Sequence, residues 1–383
     1  MKVRIERDLL ADGIAWAARA LPARPVVPVL AGLRLTASAE GLGVSAYNYE
    51  VSAGIEVAAD VGGPGEILVP GRLFADIART LPREHPVEIT ADATKARVTC
   101  AGSYFALPLL PLDDYPATPL LPETAGTVAA APFAEAVAQV AIAAARDESL
   151  PVLTAIRVHL THDTLVLAAT DRYRLAVRRV PWQSATEDPD RTALVPAKVL
   201  ADIARAAGSG ADVRLALGSE RGRRGLLGLS GGARHATSRL LDNEFPAYEW
   251  LFANETTAVA TIGTAPLIEA LKRVSLVVTR NSPVRLSFGR DALRIAAGTT
   301  NEAEAAATLP AELAGEPVTV AFNPVHLLDG LTALRAPTAR MLFSGPTKPT
   351  VLTEDTASTE NAGNTWNTGD PDYRYLLMPM RGA

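Results

Sequence analysis

The residues able to do chemistry are present but do not converge. Of the five histidines, His159 and His162 sit close together, yet they alternate faces poorly for a shared metal and have no cysteine or carboxylate cluster beside them. Carboxylates are plentiful and scattered, and none is paired as a nuclease or polymerase requires. Cys100 is the only cysteine, so no disulfide can form within the chain, which fits a cytoplasmic location. The glycine-rich run GSERGRRGLLGLSGG from Gly218 lacks the spacing and the lysine of a phosphate-binding loop, and reads as a basic hairpin tip. These observations predict a protein with no catalytic site, no metal and no cofactor.

What the residues can do is bind. One strand end, ATDRYRLAV, packs Asp171, Arg172, Tyr173, Arg174 and Leu175 into five consecutive positions, and the chain closes on LLMPMRGA. Methionines such as Met378 and Met380 suit surfaces that accept varied partners. Tyr173 and Trp250 are open to two readings, as rings of a binding surface or as ordinary core.

The elements that hold these residues come from a repeat. LVPGRLFADIAR begins at Leu68 and LVPAKVLADIAR at Leu194, 126 positions later, with eight of twelve residues identical. A third copy, AFNPVHLLDGLTAL, begins at Ala321. Each reads as a strand end, a proline and an amphipathic helix, with Pro70 and Pro196 suited to a helix start. A second phrase recurs upstream, as PVLAGLRL at Pro28, PVLTAIRV at Pro151 and SPVRLSF at Ser282. Each follows a helical pattern (8–20, 132–145 and 265–277) and precedes alternating apolar residues around a polar turn, the signature of a β-hairpin. A third phrase occurs twice, as LDDYPA at Leu112 and LDNEFPA at Leu241. The chain is therefore expected to be α+β, in three tandem copies at 1–122, 126–253 and 256–383, set in a stiff arc that closes on a partner by symmetry.

The net charge of −5 argues weakly against a nucleic-acid partner, but an average can hide a basic face. Over the six predicted helices, taken as 7–20, 72–83, 133–146, 196–207, 265–280 and 323–335, the charge is +5. That segregation predicts helices lining the inside of an arc, where a polyanion is held through its phosphates without base reading. No apolar run reaches the roughly 18 residues of a membrane span, and MKVRIERDLL is not a secretion signal.

ATDRYRLAV in the second of three copies, together with a terminal LLMPMR and RPVVPVLAGL near the start, resembles the bacterial β sliding clamps, the processivity subunits of the DNA polymerase III holoenzyme, as found in a high-GC bacterium. The resemblance covers essentially the whole chain. It implies a head-to-tail homodimer, a ring with helices facing a channel that encloses duplex DNA, opened by a clamp loader. Replicative and repair polymerases would be tethered through short peptides bearing a glutamine and apolar residues.

Carried over residue by residue, the implied peptide pocket takes Leu153, Thr170, Arg172, Tyr173, Arg174 and Leu175 from the middle copy, with Pro246, Trp250 and Leu251 as a wall. The third copy adds Asn323, His326, Thr347, Pro349, Leu376, Met378, Pro379, Met380 and Arg381. Arg24, Arg72, Arg79, Lys198 and Arg273 are the DNA-facing candidates. Phe105 and Leu107 would meet the region around Leu276 at the dimer seam. Three positions depart from the family pattern: Gly382 and Ala383 follow where a leucine usually ends the chain, Trp250 is bulky, and His326 replaces a larger aromatic or aliphatic residue. They leave two alternatives, a paralogous clamp with an altered pocket for specialised partners or inhibitor resistance, and a non-ring interaction scaffold.

Overall fold

A computed structural model describes residues 1–187, 189–208, 210–218, 225–253, 255–279, 282–298, 303–354 and 372–380. Among the described residues six α-helices, α1 (Arg7–Ala17), α2 (Gly71–Thr80), α3 (Ala130–Ala141), α4 (Ala197–Ala207), α5 (Thr264–Val274) and α6 (Pro324–Ala333), are set among antiparallel strands. None is long and apolar enough to cross a membrane.

The repeated phrase folds the same way three times. α2 buries Gly71, Phe74, Ile77 and Ala78; α4 buries Ala197, Leu200, Ile203 and Ala204; α6 buries Pro324, Leu327, Gly330 and Leu331. These are matching positions at i, i+3, i+6 and i+7, one apolar stripe on a 3.6-residue period. Pro70 and Pro196 sit one place earlier than expected, at the cap, ending the strands Gly65–Pro70 and Arg191–Pro196. Only the third copy has its proline inside the first turn, and there Asn323 accepts hydrogen bonds from the Val325 and His326 amides. The expected hairpins form at Gly32–Ser38 with Gly41–Tyr47, Ala155–Leu160 with Thr164–Thr170, and Val284–Phe288 with Ala292–Ala297.

The chain forms two compact units, residues 1–134 with 182–242 and residues 135–181 with 243–383. In the first, a five-stranded sheet ends at Ser103–Pro108, and a nine-stranded sheet runs through the pairing of Val51–Val57 with Arg234–Arg239. In the second, a four-stranded sheet ends at Ala305–Pro310, and a longer sheet runs through the pairing of Arg174–Pro181 with Tyr373–Leu377. Each long sheet thus joins strands of two successive copies. The two joins differ at matching positions. Ser52 and Thr237 share a buried hydroxyl hydrogen bond of 2.6 Å in the first unit, where Leu175 faces Leu376 in the second.

The helix charges correct the sequence expectation. With the observed boundaries the six helices carry no net charge, because Arg19, Arg83, Arg146 and Arg335, counted into the predicted helices, lie beyond their C-terminal ends. All four are exposed. Arg280, the fifth, lies outside the described residues.

Volume is exchanged between matching positions as well. Ile77 and Ile203 correspond to Gly330, while Ala236 corresponds to the fully buried Tyr375. A Cβ on Gly330 would stand 2.4 Å from the Tyr375 ring, which has no room to yield. Gly330→Ala should therefore lower unfolding stability by about 1–3 kcal/mol, the usual penalty of overpacking, measured by urea denaturation.

Candidate functional site

The stretch singled out in the sequence forms a tight turn in the second unit. Asp171 Oδ1 accepts the amides of Tyr173 and Arg174, both at 3.0 Å, and Thr170 Oγ1 accepts the Arg172 amide at 3.2 Å while donating to the Arg174 carbonyl at 2.7 Å. Arg172 adopts φ 79°, a left-handed conformation that non-glycine residues seldom take. An aspartate side chain that mimics a backbone turn makes this conformation tolerable. The first copy builds the same turn from Asn48, which accepts the Glu50 and Val51 amides at 3.0 and 2.8 Å with Tyr49 at φ 73°.

What the middle copy adds is a buried cation. The Arg174 side chain donates from Nε to Asp171 Oδ2 at 2.9 Å, and from Nη1 to Asp329 Oδ2 at 2.6 Å and the Tyr375 hydroxyl at 3.3 Å. Burial opposes its charge, but Tyr375, Asp329 and Asp171 more than offset that and raise its pKa. Burial raises the Tyr375 hydroxyl in turn, so it stays protonated and donates to the His326 carbonyl at 2.9 Å.

The tail is sewn onto this frame rather than frayed. The Met378 amide donates to the Tyr173 carbonyl at 2.9 Å and the Met380 amide to the Ala321 carbonyl at 2.8 Å. Tyr173 is 60% exposed, with its ring centroid 6.3 Å from that of His326. Val325 and Met378 are exposed as well, so an apolar rim surrounds a polar, buried base. Thr170, Tyr173, Arg174, Asn323, His326 and Met378 are therefore linked through this one network, and Met380 is held beside it by Ala321.

Other predicted positions form a second cluster. Leu175 and Leu376 pack with Ala168, Val177 and Tyr248, and Leu251 lies half-buried against them. Trp250 is 66% exposed, its indole N–H donating to the Ala247 carbonyl at 3.1 Å. Neither Tyr173 nor Trp250 is core. Pro246 and Thr347 are exposed, Pro349 and Pro379 partly buried, and Leu153 buried. Arg381, with Gly382 and Ala383, lies outside the described residues. So do residues 219–224 of the expected basic hairpin tip.

Elsewhere, Arg24, Arg72, Arg79, Lys198 and Arg273 are all exposed. Two are already engaged: Arg79 pairs with Asp76, and Arg72 donates to the Pro22 carbonyl at 3.1 Å. Phe105 is half-buried and Leu276 85% exposed, whereas Leu107 is only 1% exposed and belongs to the core of its own unit. Tyr104, 67% exposed, is the outward residue of that strand that sequence reasoning missed. No group of three or more histidine, cysteine or acidic side chains among the described residues could hold a metal.

Asp329 and Tyr375 were missed too, although Asp329 carried a signal. It is the third member of the repeat after Asp76 and Asp202, which pair with Arg79 and Arg205 three residues on. At the matching place α6 has Thr332, so Asp329 lacks a partner on its own helix and takes Arg174.

Models of the DNA polymerase III beta subunit match three consecutive stretches: its N-terminal domain at residues 1–119, its central domain at 127–247 and its C-terminal domain at 250–363. The chain belongs to this family, the β sliding clamps. A Streptomyces coelicolor beta sliding clamp is 49% identical over all of this chain and 99% of its own length. One from Micrococcus luteus is 43% identical over 82% of this chain and all of its own. A Pseudomonas aeruginosa sliding clamp, solved bound to griselimycin, is 25% identical, with a TM-score of 0.89 over 100% of this chain and 99% of that one. A sliding clamp is a processivity factor and not a catalytic subunit, in keeping with chemistry-bearing residues that do not converge.

Two measurements test the site geometry. Asp329→Ala leaves Arg174 with Asp171 and Tyr375 only, and should cost about 1–3 kcal/mol in urea unfolding, as for a buried charged group that loses a partner. Burial, and then the Arg174 charge, hold the His326 pKa below its usual value near 6.5. The folded state thus favours neutral His326, a contribution fully present above about pH 6.5 and lost as pH falls through the lower folded value. Stability should drop between pH 7 and 5, and His326→Phe should drop less. His235 in the first unit, also lowered by burial, titrates with the same sign and is common to both proteins.

Proposed function

We propose that two copies of this chain close head to tail into a ring around duplex DNA and tether polymerases and repair proteins through short peptides seated at the Tyr173–His326–Met378 rim. The carrying observation is the combination of exposed apolar side chains with a buried polar base in which Arg174 is held by Asp171, Asp329 and Tyr375. Burial of the peptide's apolar residues would supply affinity, and the polar groups would fix its glutamine and backbone. The remaining pocket residues, from Leu153 to Pro349 and Arg381, would complete the walls.

The three domains would divide near 1–122, 126–253 and 256–383, in keeping with three family-model matches of similar length. Non-specific attraction to phosphate would come from exposed Arg24, Arg72, Arg79, Lys198 and Arg273, joined by the arginines that follow the helices. The seam would form by pairing the free edges of Ser103–Pro108 and Ala305–Pro310, with Tyr104 and Phe105 of one copy near Leu276 of the other. The protein would act in the cytoplasm with a clamp loader.

The test is calorimetric titration with a short peptide carrying the glutamine–leucine–phenylalanine pattern. Micromolar binding is expected, weakened at least tenfold in the Met378→Ala/Met380→Ala protein; equal binding by both would place the peptide elsewhere.

A further inference from the structure

The segment Tyr248–Phe252 presents three aromatic rings, and arginines already cover two. The Arg157 guanidinium lies 5.7 Å from the Tyr248 ring centroid, and that of Arg374 lies 5.6 Å from the Phe252 centroid. Trp250 stands between them in sequence, is two-thirds exposed, and among the described residues has no lysine or arginine over its ring. Of the aromatic side chains, tryptophan attracts a cation most strongly.

Three further observations say what the ring would take. Its only hydrogen-bond donor is spent on the Ala247 carbonyl, so the indole is pinned and offers a face rather than a polar edge. Its own segment is acidic, and the two arginines that reach that segment, Arg157 and Arg374, lie over the neighbouring Tyr248 and Phe252 rings. Residues 243–253 hold Glu244 and Glu249 and no lysine or arginine, Glu244 is exposed, and Glu249 meets Arg157 only at 3.8 Å with 63% of its side chain exposed. The outward pose is also set by the backbone. In the matching phrase of the first copy the equivalent residue, Leu120, is 89% exposed, so the fold holds this position out of the core whatever occupies it.

We infer that Trp250 is a specificity-determining residue that receives an arginine or lysine flanking the apolar core of a docked partner peptide, with Glu244 and Glu249 favouring the same charge. This rests on the peptide-docking reading above and names the partner class: basic-flanked rather than acidic-flanked peptides. Because Leu251, the next residue, packs against the Leu175–Leu376 cluster, a cation held at Trp250 lies at the edge of that cluster.

The test uses the full-length protein and fluorescently labelled peptides that share one apolar core. In one set a single arginine is moved along either flank; in the others glutamine or glutamate takes its place. At the best position arginine should tighten binding about three- to fivefold over glutamine, the size of an exposed cation–π contact, and glutamate should weaken it. Trp250→Leu, which installs the first-copy residue, should bring the affinities for the arginine and glutamine peptides to the same value, whatever that value is. Trp250→Phe should keep part of it, and binding of the arginine peptide should quench Trp250 fluorescence. No arginine preference at any position, or a preference that survives in Trp250→Leu, would overturn the inference. Failure of every peptide to bind either protein would instead overturn the docking reading on which it rests.

Discussion

A guanidinium withdrawn from water sets the terms for the second unit. Taking a charge out of solvent costs several kcal/mol unless each of its donors is met, and Arg174 is met from three directions by a turn, a strand and a helix. The Asp171 turn, the Tyr373–Leu377 strand and α6 must therefore keep one mutual arrangement, since moving any of them strands the cation. The consequences run outward. Tyr375 needs the space that Gly330 leaves, and its hydroxyl ties the first turn of α6. Asn323 fixes the start of that helix, and the tail lies where the Tyr173 and Ala321 carbonyls receive it. The exposed rim is rigid because its base is.

The first unit shows what the same frame looks like without that charge. Its turn is drawn with the same hydrogen bonds from Asn48, yet Val51 stands where Arg174 does and Val199 where His326 does. Asp202 is left to an exposed pairing with Arg205 at 3.5 Å, of the kind that contributes little. Repetition accounts for the backbone, and the divergence that matters for binding is a handful of side chains in one copy. This is why fold and function separate so cleanly along the chain.

That separation also explains what was legible in the sequence. The repeat phrases located three helices and three hairpins because burial at i, i+3, i+6 and i+7 leaves a regular trace. The Asp171–Leu175 stretch stood out because it broke the repeat. Asp329 and Tyr375 were not legible as site residues, since each conforms to its element's pattern and acquires a role only through a partner more than 150 positions away. Leu107 failed for the opposite reason. An alternating edge strand has one inward and one outward face, and SYFALP does not say which residues take which; the structure turns Tyr104 out and Leu107 in.

The helix charges failed for an instructive physical reason. A window extended a few residues past a helix collects whatever follows its C-terminus, and the partial negative charge of that end favours cations there. Arg19 lies in the short 3-10 helix that continues α1, and Arg83 and Arg335 lie within three residues of the ends of α2 and α6. There the count detected a real regularity and assigned it to the wrong element, while Arg146, five residues past α3, lies beyond that reach. Non-specific phosphate attraction depends on the field a surface produces and not on which backbone element carries each charge. Arginines in turns after helices can supply that field while the helix faces themselves stay neutral. A chain that is acidic overall can in this way keep its helices tuned for packing and place its cations in the turns, where substitution disturbs the core least.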